Sequence, residues 1–194
     1  MEENAIVSKY KVVIIGGSAG SLEILLQIIP NLQVLKNYAL VIVLHRKNGD
    51  DTTLEELFAL KTEIPVKEVE DKTPLASGNI YIAPSDYHLL FEKSGVLSLD
   101  ISEKINYSRP SIDVSLESAA EAFNKSVLAI LLSGANADGT EGLKMVKQFG
   151  GTVVIQNPES ASVPFMPHHA ISNLEPDAIL NVREITALLS KLNS

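Results

Sequence analysis

Four apolar runs that barely alternate, Val12 to Ile15, Ala39 to Leu44, Val127 to Leu132 and Thr152 to Ile155, constrain the fold of this chain more than any other feature. A strand with one wet face alternates apolar and polar residues. A strand covered on both faces does not, and such double burial is the mark of a parallel sheet. Between and after these runs lie stretches with helical periodicity: Leu22 to Ile29, Thr52 to Leu60, Ser111 to Phe123, Glu141 to Phe149, and a closing helix at Glu184 to Leu192. The alternation predicts an α/β fold, a doubly wound, mostly parallel sheet with flanking helices. Three shorter segments, Asn79 to Ala83, Tyr87 to Glu92 and Val96 to Asp100, are separated by the turn pairs Pro84-Ser85 and Ser94-Gly95 and read as a short antiparallel hairpin or an edge extension. No repeat or linker divides the chain, so residues 1–194 are read as a single domain.

A chain of 194 residues buries roughly 70% of its unfolded surface and needs no staple. It has no cysteine, which removes disulfides and thiolate chemistry and fits a reducing compartment. Met1 to Tyr10 is polar with no secretory apolar core, and no run approaches the roughly 20 apolar residues of a membrane span, so a cytoplasmic protein that is not membrane-inserted is expected. The net charge of −8, from 16 basic and 24 acidic residues, repels polyanions. With 5% aromatic residues and no tryptophan there is no base-stacking platform either, so nucleic acid is not an expected partner.

In an open parallel sheet, functional groups collect beyond the carboxyl ends of the strands. The first run leads into Gly16-Gly17-Ser18-Ala19-Gly20, a G-x-S-x-G string at a strand-to-helix turn, where a serine hydroxyl can be lifted clear of the sheet. The second ends at Leu44 and is followed at once by His45, and the third runs into Ser133-Gly134-Ala135-Asn136-Ala137-Asp138-Gly139. A serine, a histidine and an aspartate therefore emerge on one edge. They have the types needed for a nucleophile, its base and the acid that orients the base. Ser18 would attack an ester carbonyl, His45 would carry the proton and Asp138 would stabilise the imidazolium. The Ala19 amide is the expected oxyanion donor, with the loop from Gly134 to Asn136 as a possible second source.

Each residue also has a plainer reading. A Gly-rich turn can cradle phosphate, although Ser18 stands where the dinucleotide fingerprint needs its second glycine and no ribose-binding acid follows the second strand. Asp138-Gly139-Thr140-Glu141 has the spacing of a helix capping box. His45 can be a surface histidine. His168-His169 are weak metal candidates, since adjacent side chains diverge and no carboxylate cluster accompanies them. Arg46-Lys47 is a solvated pair or a small basic rim for an acidic substrate. His88 lies on the predicted hairpin, and Pro164, Met166 and Pro167 would stiffen a loop near the same edge.

With these residues in place the chain resembles the catalytic domain of the chemotaxis protein-glutamate methylesterases, the CheB family. The matching segments are IGGSAGS at Ile15 to Ser21, LHR at Leu44 to Arg46, the stretch from Val66 to His88, RPSIDV at Arg109 to Val114, LSGANADGTEGL at Leu132 to Leu143, QNPESA at Gln156 to Ala161 and MPHHAI at Met166 to Ile171. The resemblance implies a doubly wound α/β domain with a triad matched by Ser18, His45 and Asp138, and no cofactor or metal. It implies hydrolysis of glutamyl methyl esters on the cytoplasmic helices of methyl-accepting chemoreceptors, releasing methanol, and deamidation of glutamines through the same acyl-enzyme. The competing expectations are a catalytically weak binding module of the same fold and a general small-ester serine esterase. Family members usually carry a receiver domain ahead of this one. Only about ten residues precede the first strand here, so a stand-alone form is expected, with its oligomeric state and its control open. Departures from the family pattern are Ala19 for threonine, Gly20-Ser21 for a glycine pair, Arg46-Lys47 for Met-Pro, and Ala135 for a methionine at the pocket.

Overall fold

The structure, a computed structural model, describes residues 9–47 and 53–193. Seven parallel strands form the main sheet: β1 (Val12–Gly17), β2 (Ala39–Leu44), β3 (Val66–Glu68), β5 (Ile80–Ile82), β8 (Val127–Leu131), β9 (Thr152–Gln156) and β10 (Ala178–Leu180), in the order β10-β9-β8-β1-β2-β5-β3. A second, antiparallel sheet of three strands orders β4 (Thr73–Pro74), β7 (Val96–Asp100) and β6 (His88–Phe91). The helices are α1 (Ser21–Ile28), α2 (Thr53–Ala59), α3 (Ile112–Phe123), α4 (Thr140–Gln148), α5 (Phe165–Asn173) and α6 (Val182–Lys191).

The unbroken apolar runs are explained by two cores, one on each face of the sheet. In β1, Val12 and Ile14 pack with Ile112, Leu116, Leu143 and Met166 on the face covered by α3, α4 and α5. Val13 and Ile15 pack with Leu25, Ile28, Phe58, Ile185 and Leu189 on the face covered by α1, α2 and α6. All four of these strand residues are fully buried, so a polar substitution on either face would bury a polar group away from water. The small sheet lies over α3, where Ser115 Oγ donates to Leu89 O at 2.8 Å and Phe91 N donates to Ser118 Oγ at 3.0 Å.

The doubly wound parallel sheet is as expected, with corrections in detail. Ile80-Tyr81-Ile82 does not join the antiparallel hairpin. It pairs parallel with both β2 and β3, and all three residues are buried. Its shortness disguised an interior strand. Phe165–Asn173 is a helix rather than a stiffened loop. Pro167 is its third residue, where the missing N–H has no intrahelical partner to lose. Thr52, expected to open α2, lies outside the described residues.

From β1 the chain moves to β2 and on towards β3, then returns to place β8 on the other side of β1. The switch point of the sheet therefore lies between β1 and β8, where an open α/β sheet forms a crevice at its carboxyl edge.

Candidate active site

Gly17 pairs with Leu44 in the β1–β2 ladder. The next residue of each strand, Ser18 and His45, thus leaves the sheet beside the other, on strands about 4.8 Å apart. The His45 amide donates to Gly17 O at 3.1 Å. Beyond β1 the chain makes a turn in which the Ser21 amide returns to Ser18 O at 3.0 Å. Gly20, the third residue of this turn, has φ 82 and ψ −5, as a type II turn requires. A Cβ at Gly20 would also lie 2.8 Å from Ser133 Oγ and from Ser162 Cβ. This refines the reading of the G-x-S-x-G string, because the left-handed residue is Gly20 and Ser18 has no positive φ. Ser18 is half-buried, and its hydroxyl has no hydrogen-bond partner among the described residues.

Two of the three predicted residues meet directly. His45 Nε2 lies 2.7 Å from Asp138 Oδ2, with the imidazole 12% exposed and the carboxylate fully buried. With Nε2 committed to Asp138, Nδ1 is the nitrogen left to face a substrate or Ser18. No hydrogen bond joins Ser18 Oγ to His45 among the described residues.

Asp138 does not cap the helix that follows it. The residue before α4 in the capping position is Gly139, without a side-chain bond. The carboxylate turns instead to the N-terminus of α3, where it accepts from the amides of Ile112 at 2.6 Å and Asp113 at 3.2 Å and from Ser111 Oγ at 2.9 Å. Asn106 Nδ2 donates to the same carboxylate at 3.0 Å. His45 and these four groups all donate to it. Burial alone would favour the neutral acid, yet the bonds from His45, Ile112 and Asn106 outweigh it and hold the carboxyl at about 2. The ionised form is the one that fixes an imidazole by accepting its N–H.

Sequence reasoning missed the residues that hold Asp138 in place. Asp113, on the first turn of α3, accepts from the Gly142 amide at 2.7 Å and from Asn106 Nδ2 at 2.9 Å. Burial, with the charge of Asp138 beside it, pushes its carboxyl up to about 7 in spite of the Gly142 bond. The buried His88 accepts from the Ser111 amide at Nδ1 (3.2 Å) and donates from Nε2 to Glu103 O (2.8 Å). Ser133, also buried, accepts from the Ser18 amide and from Ser21 Oγ at its carbonyl, and donates from Oγ to Ala19 O at 2.7 Å. A polar residue placed at a strand end or a helix start was the available signal, but only the tertiary fold says which partner it finds.

The raised Asp113 carboxyl predicts a pH effect with a definite sign. A carboxyl raised from its ordinary value of 3.8 to about 7 leaves the folded state binding more protons between those limits. The contribution of Asp113 is therefore favourable below about pH 4 and is lost as pH rises through about 7. Asp138, held low, contributes in the opposite sense: its stabilisation is present above its ordinary value and is lost as pH falls through about 2. Urea unfolding at pH 5 and pH 8 should show Asp113→Asn gaining stability relative to the unsubstituted protein at the higher pH. A difference independent of pH would contradict the shift.

Around the turn, the Ala19 amide donates to no described residue, and Ala19 is an exposed residue just ahead of α1. The Gly134 amide, considered as a second oxyanion donor, is committed to Val163 O at 3.0 Å. Gly134 is instead a close approach: a Cβ there would lie 2.5 Å from Met166 Cε. The neighbouring Ala135 is exposed at the rim of the same loop. Of the histidine pair on α5, His169 Nδ1 lies 2.9 Å from Thr140 Oγ1, with its ring stacked on Phe165 at 5.9 Å.

The sequence matches the family model described as CheB methylesterase over residues 13–189. The chain belongs to the CheB methylesterase family. Its fold is similar to the crystal structure of the Thermotoga maritima CheB methylesterase catalytic domain, with a TM-score of 0.89 and 36% identity, covering 94% of this chain and 98% of that one. A Leptospira interrogans protein provisionally called protein-glutamate methylesterase/protein-glutamine glutaminase is 38% identical over 184 residues, 95% of each chain. The Thermotoga maritima protein of that name is 38% identical over 187 residues, 94% of this chain and 54% of its own length.

Two clefts of this CheB-family chain differ in what they offer. The larger, about 980 Å³, is lined by Leu32, Val34, Leu60, Ile64 and their neighbours at the amino ends of the strands, remote from Ser18, His45 and Asp138. A smaller cleft of about 210 Å³ is lined by His45, Arg46, Lys47, Lys104, Tyr107, Ser108 and Arg109. Size favours the first, but chemistry favours the second, since it contains the imidazole bound to Asp138. Arg46 is half of a pair with Glu68 at 2.8 Å, and Arg109 pairs with Asp86 at 2.7 Å. No described helix is long and apolar enough to cross a membrane.

Proposed function

We propose that this protein is a serine hydrolase that demethylates glutamyl γ-methyl esters on the cytoplasmic helices of methyl-accepting chemoreceptors and deamidates glutamines at the same site. The observation that carries the reading is the 2.7 Å contact between His45 Nε2 and the fully buried Asp138 carboxylate, with Ser18 at the neighbouring strand end and its hydroxyl in no hydrogen bond among the described residues.

In this reading Ser18 Oγ attacks the γ-carbonyl carbon, and its proton passes to His45 Nδ1. For that transfer the two atoms come within about 3 Å as substrate binds, a bond commonly formed only in the complex. Asp138 holds the Nε2–H and stabilises the imidazolium without taking the proton. The Ala19 amide, at the positive end of α1, donates to the oxyanion. Collapse of the tetrahedral intermediate expels methoxide, which leaves as methanol with the His45 proton, and an acyl ester remains on Ser18. Water, deprotonated by His45, attacks that ester and frees glutamate and Ser18. With glutamine the same steps release ammonia. None of these steps calls for a cofactor or metal.

The test is stoichiometry. A receptor cytoplasmic fragment bearing γ-methyl esters should yield methanol and new glutamate side chains in equal amounts, and a glutamine-bearing fragment should yield ammonia. Fast hydrolysis of short acyl esters with no turnover of either fragment would instead identify a general esterase.

A further inference from the structure

Residues Ile105 to Ser108 form a two-residue hairpin turn, with Ser108 N donating to Ile105 O at 2.9 Å and Ile105 N to Ser108 O at 3.1 Å. Its central residues, Asn106 and Tyr107, have φ 51 and φ 63. This is the pattern of a type I′ turn, which favours asparagine first and glycine second. A tyrosine at the second position is strained, because its Cβ crowds the backbone in the left-handed region. Burial of the ring does not offset that strain, since Tyr107 is 98% exposed. Left-handed residues of this kind cluster at ligand clamps and active sites, which makes an exposed one beside His45 a candidate contact for something outside the chain.

What surrounds the ring defines the partner. Tyr107 lines the small cleft together with His45, Lys47 and Lys104, and no carboxylate lines it among the described residues. Arg46 and Arg109 have their pairs with Glu68 and Asp86, whereas Lys47 and Lys104 form no ion pair among the described residues. On a chain of net charge −8 this is a local concentration of positive charge around the candidate base. Ile101 and Ile105, on the same loop, are 70% and 43% exposed. The turn is also tied to the acid behind His45, because the Asn106 amide group donates to both Asp138 and Asp113.

We infer that the Ile105–Ser108 turn is the docking element for the protein substrate: Tyr107 packs on the apolar part of an acidic helical segment, and Lys47 and Lys104 take the carboxylates flanking the reacting glutamyl group. The inference rests on the proposed hydrolase reading for the identity of that segment. It deepens that reading by assigning substrate choice to this turn. The apolar loop face and the two lysines together fit a glutamate-rich helix, with one face oily and the other negative.

The test measures binding apart from turnover. In a Ser18→Ala background, fluorescence anisotropy with a labelled, γ-methylated receptor cytoplasmic fragment should give a Kd about tenfold weaker for Tyr107→Gly, the scale of a contact aromatic, with affinity retained by Tyr107→Phe. Glycine suits the turn, so Tyr107→Gly is expected to fold. Lys104→Glu should weaken binding most at low salt. With Ser18 restored, Tyr107→Gly should lower the ratio of kcat/KM for the methylated fragment to that for a short acyl ester by about tenfold, through KM. A Kd within twofold of the parent for Tyr107→Gly would overturn the inference, even if methanol release stands. Tyr107-dependent binding without methanol release in the unsubstituted protein would support the docking element and reject the hydrolase reading.

Discussion

Ser18→Ala should reduce kcat for methanol release by about 10⁵- to 10⁶-fold while leaving the fold as stable as before, since removing the nucleophile of a serine triad costs about as much as removing all its members. The stability half of this expectation comes from the structure. The Ser18 side chain is half-buried and its hydroxyl makes no hydrogen bond among the described residues. Its removal orphans no donor and opens no core cavity, and such substitutions stay within about 0.5 kcal/mol. The turn itself is held by main-chain bonds, from Ser18 N to Ser133 O and from Ser21 N to Ser18 O, which alanine preserves. Urea unfolding read beside methanol release separates the two effects. Near-normal turnover in the variant would remove Ser18 from the chemistry.

Asp138→Asn should show the opposite combination, with loss of both activity and stability. Five donors converge on this carboxylate, from His45, Ile112, Asp113, Ser111 and Asn106. An amide in its place must set its own N–H₂ against some of them. If the amide nitrogen faces His45, the imidazole accepts at Nε2 and carries its proton on Nδ1, the wrong tautomer to receive one from serine. The corresponding substitution in a serine protease triad lowers kcat about 10⁴-fold, and a loss of that order is expected here. The orientation that faces His45 also faces the Ile112 amide, because both bond Oδ2, and the flipped one faces the Asp113 amide and Asn106 Nδ2 at Oδ1; donors meet in a buried site either way, at a cost of about 1–3 kcal/mol. Kinetics and urea unfolding on one preparation test both. The stability loss is no argument against a catalytic role, because the same carboxylate both caps α3 and orients His45. A variant with unaltered kcat would leave Asp138 only the cap.

What the sequence made legible, and what it did not, follows from the range of the interactions. The apolar runs revealed the interior strands because double burial imposes a continuous pattern on them. The rule that groups collect at the carboxyl edge then placed Ser18 and His45 on one edge before any coordinates, and the register of β1 on β2 sets them side by side. Asp138 stood out by its place after the third run, but its surroundings were not legible. Its capping-box spacing with Glu141 was a local signal that tertiary structure overrode, because the N-terminus of α3 offers the carboxylate more donors than its own helix does. Asn106, Ser111 and Asp113 lie 25 to 32 residues away in the chain and carry no pattern that points at Asp138. The same holds for β10 and β5, three-residue strands whose pairing is decided by neighbours rather than by their own periodicity.

The central claim is that Ser18 is a nucleophile activated by His45 with Asp138 behind it. It is tested most directly by labelling the folded protein with a fluorophosphonate and mapping the adduct by mass spectrometry, beside His45→Ala. A single phosphonylated residue, Ser18, is expected, with labelling that collapses in the His45 variant. Methanol release from a protein that stays unlabelled at Ser18, or labelling of Ser18 that is indifferent to His45, would contradict it.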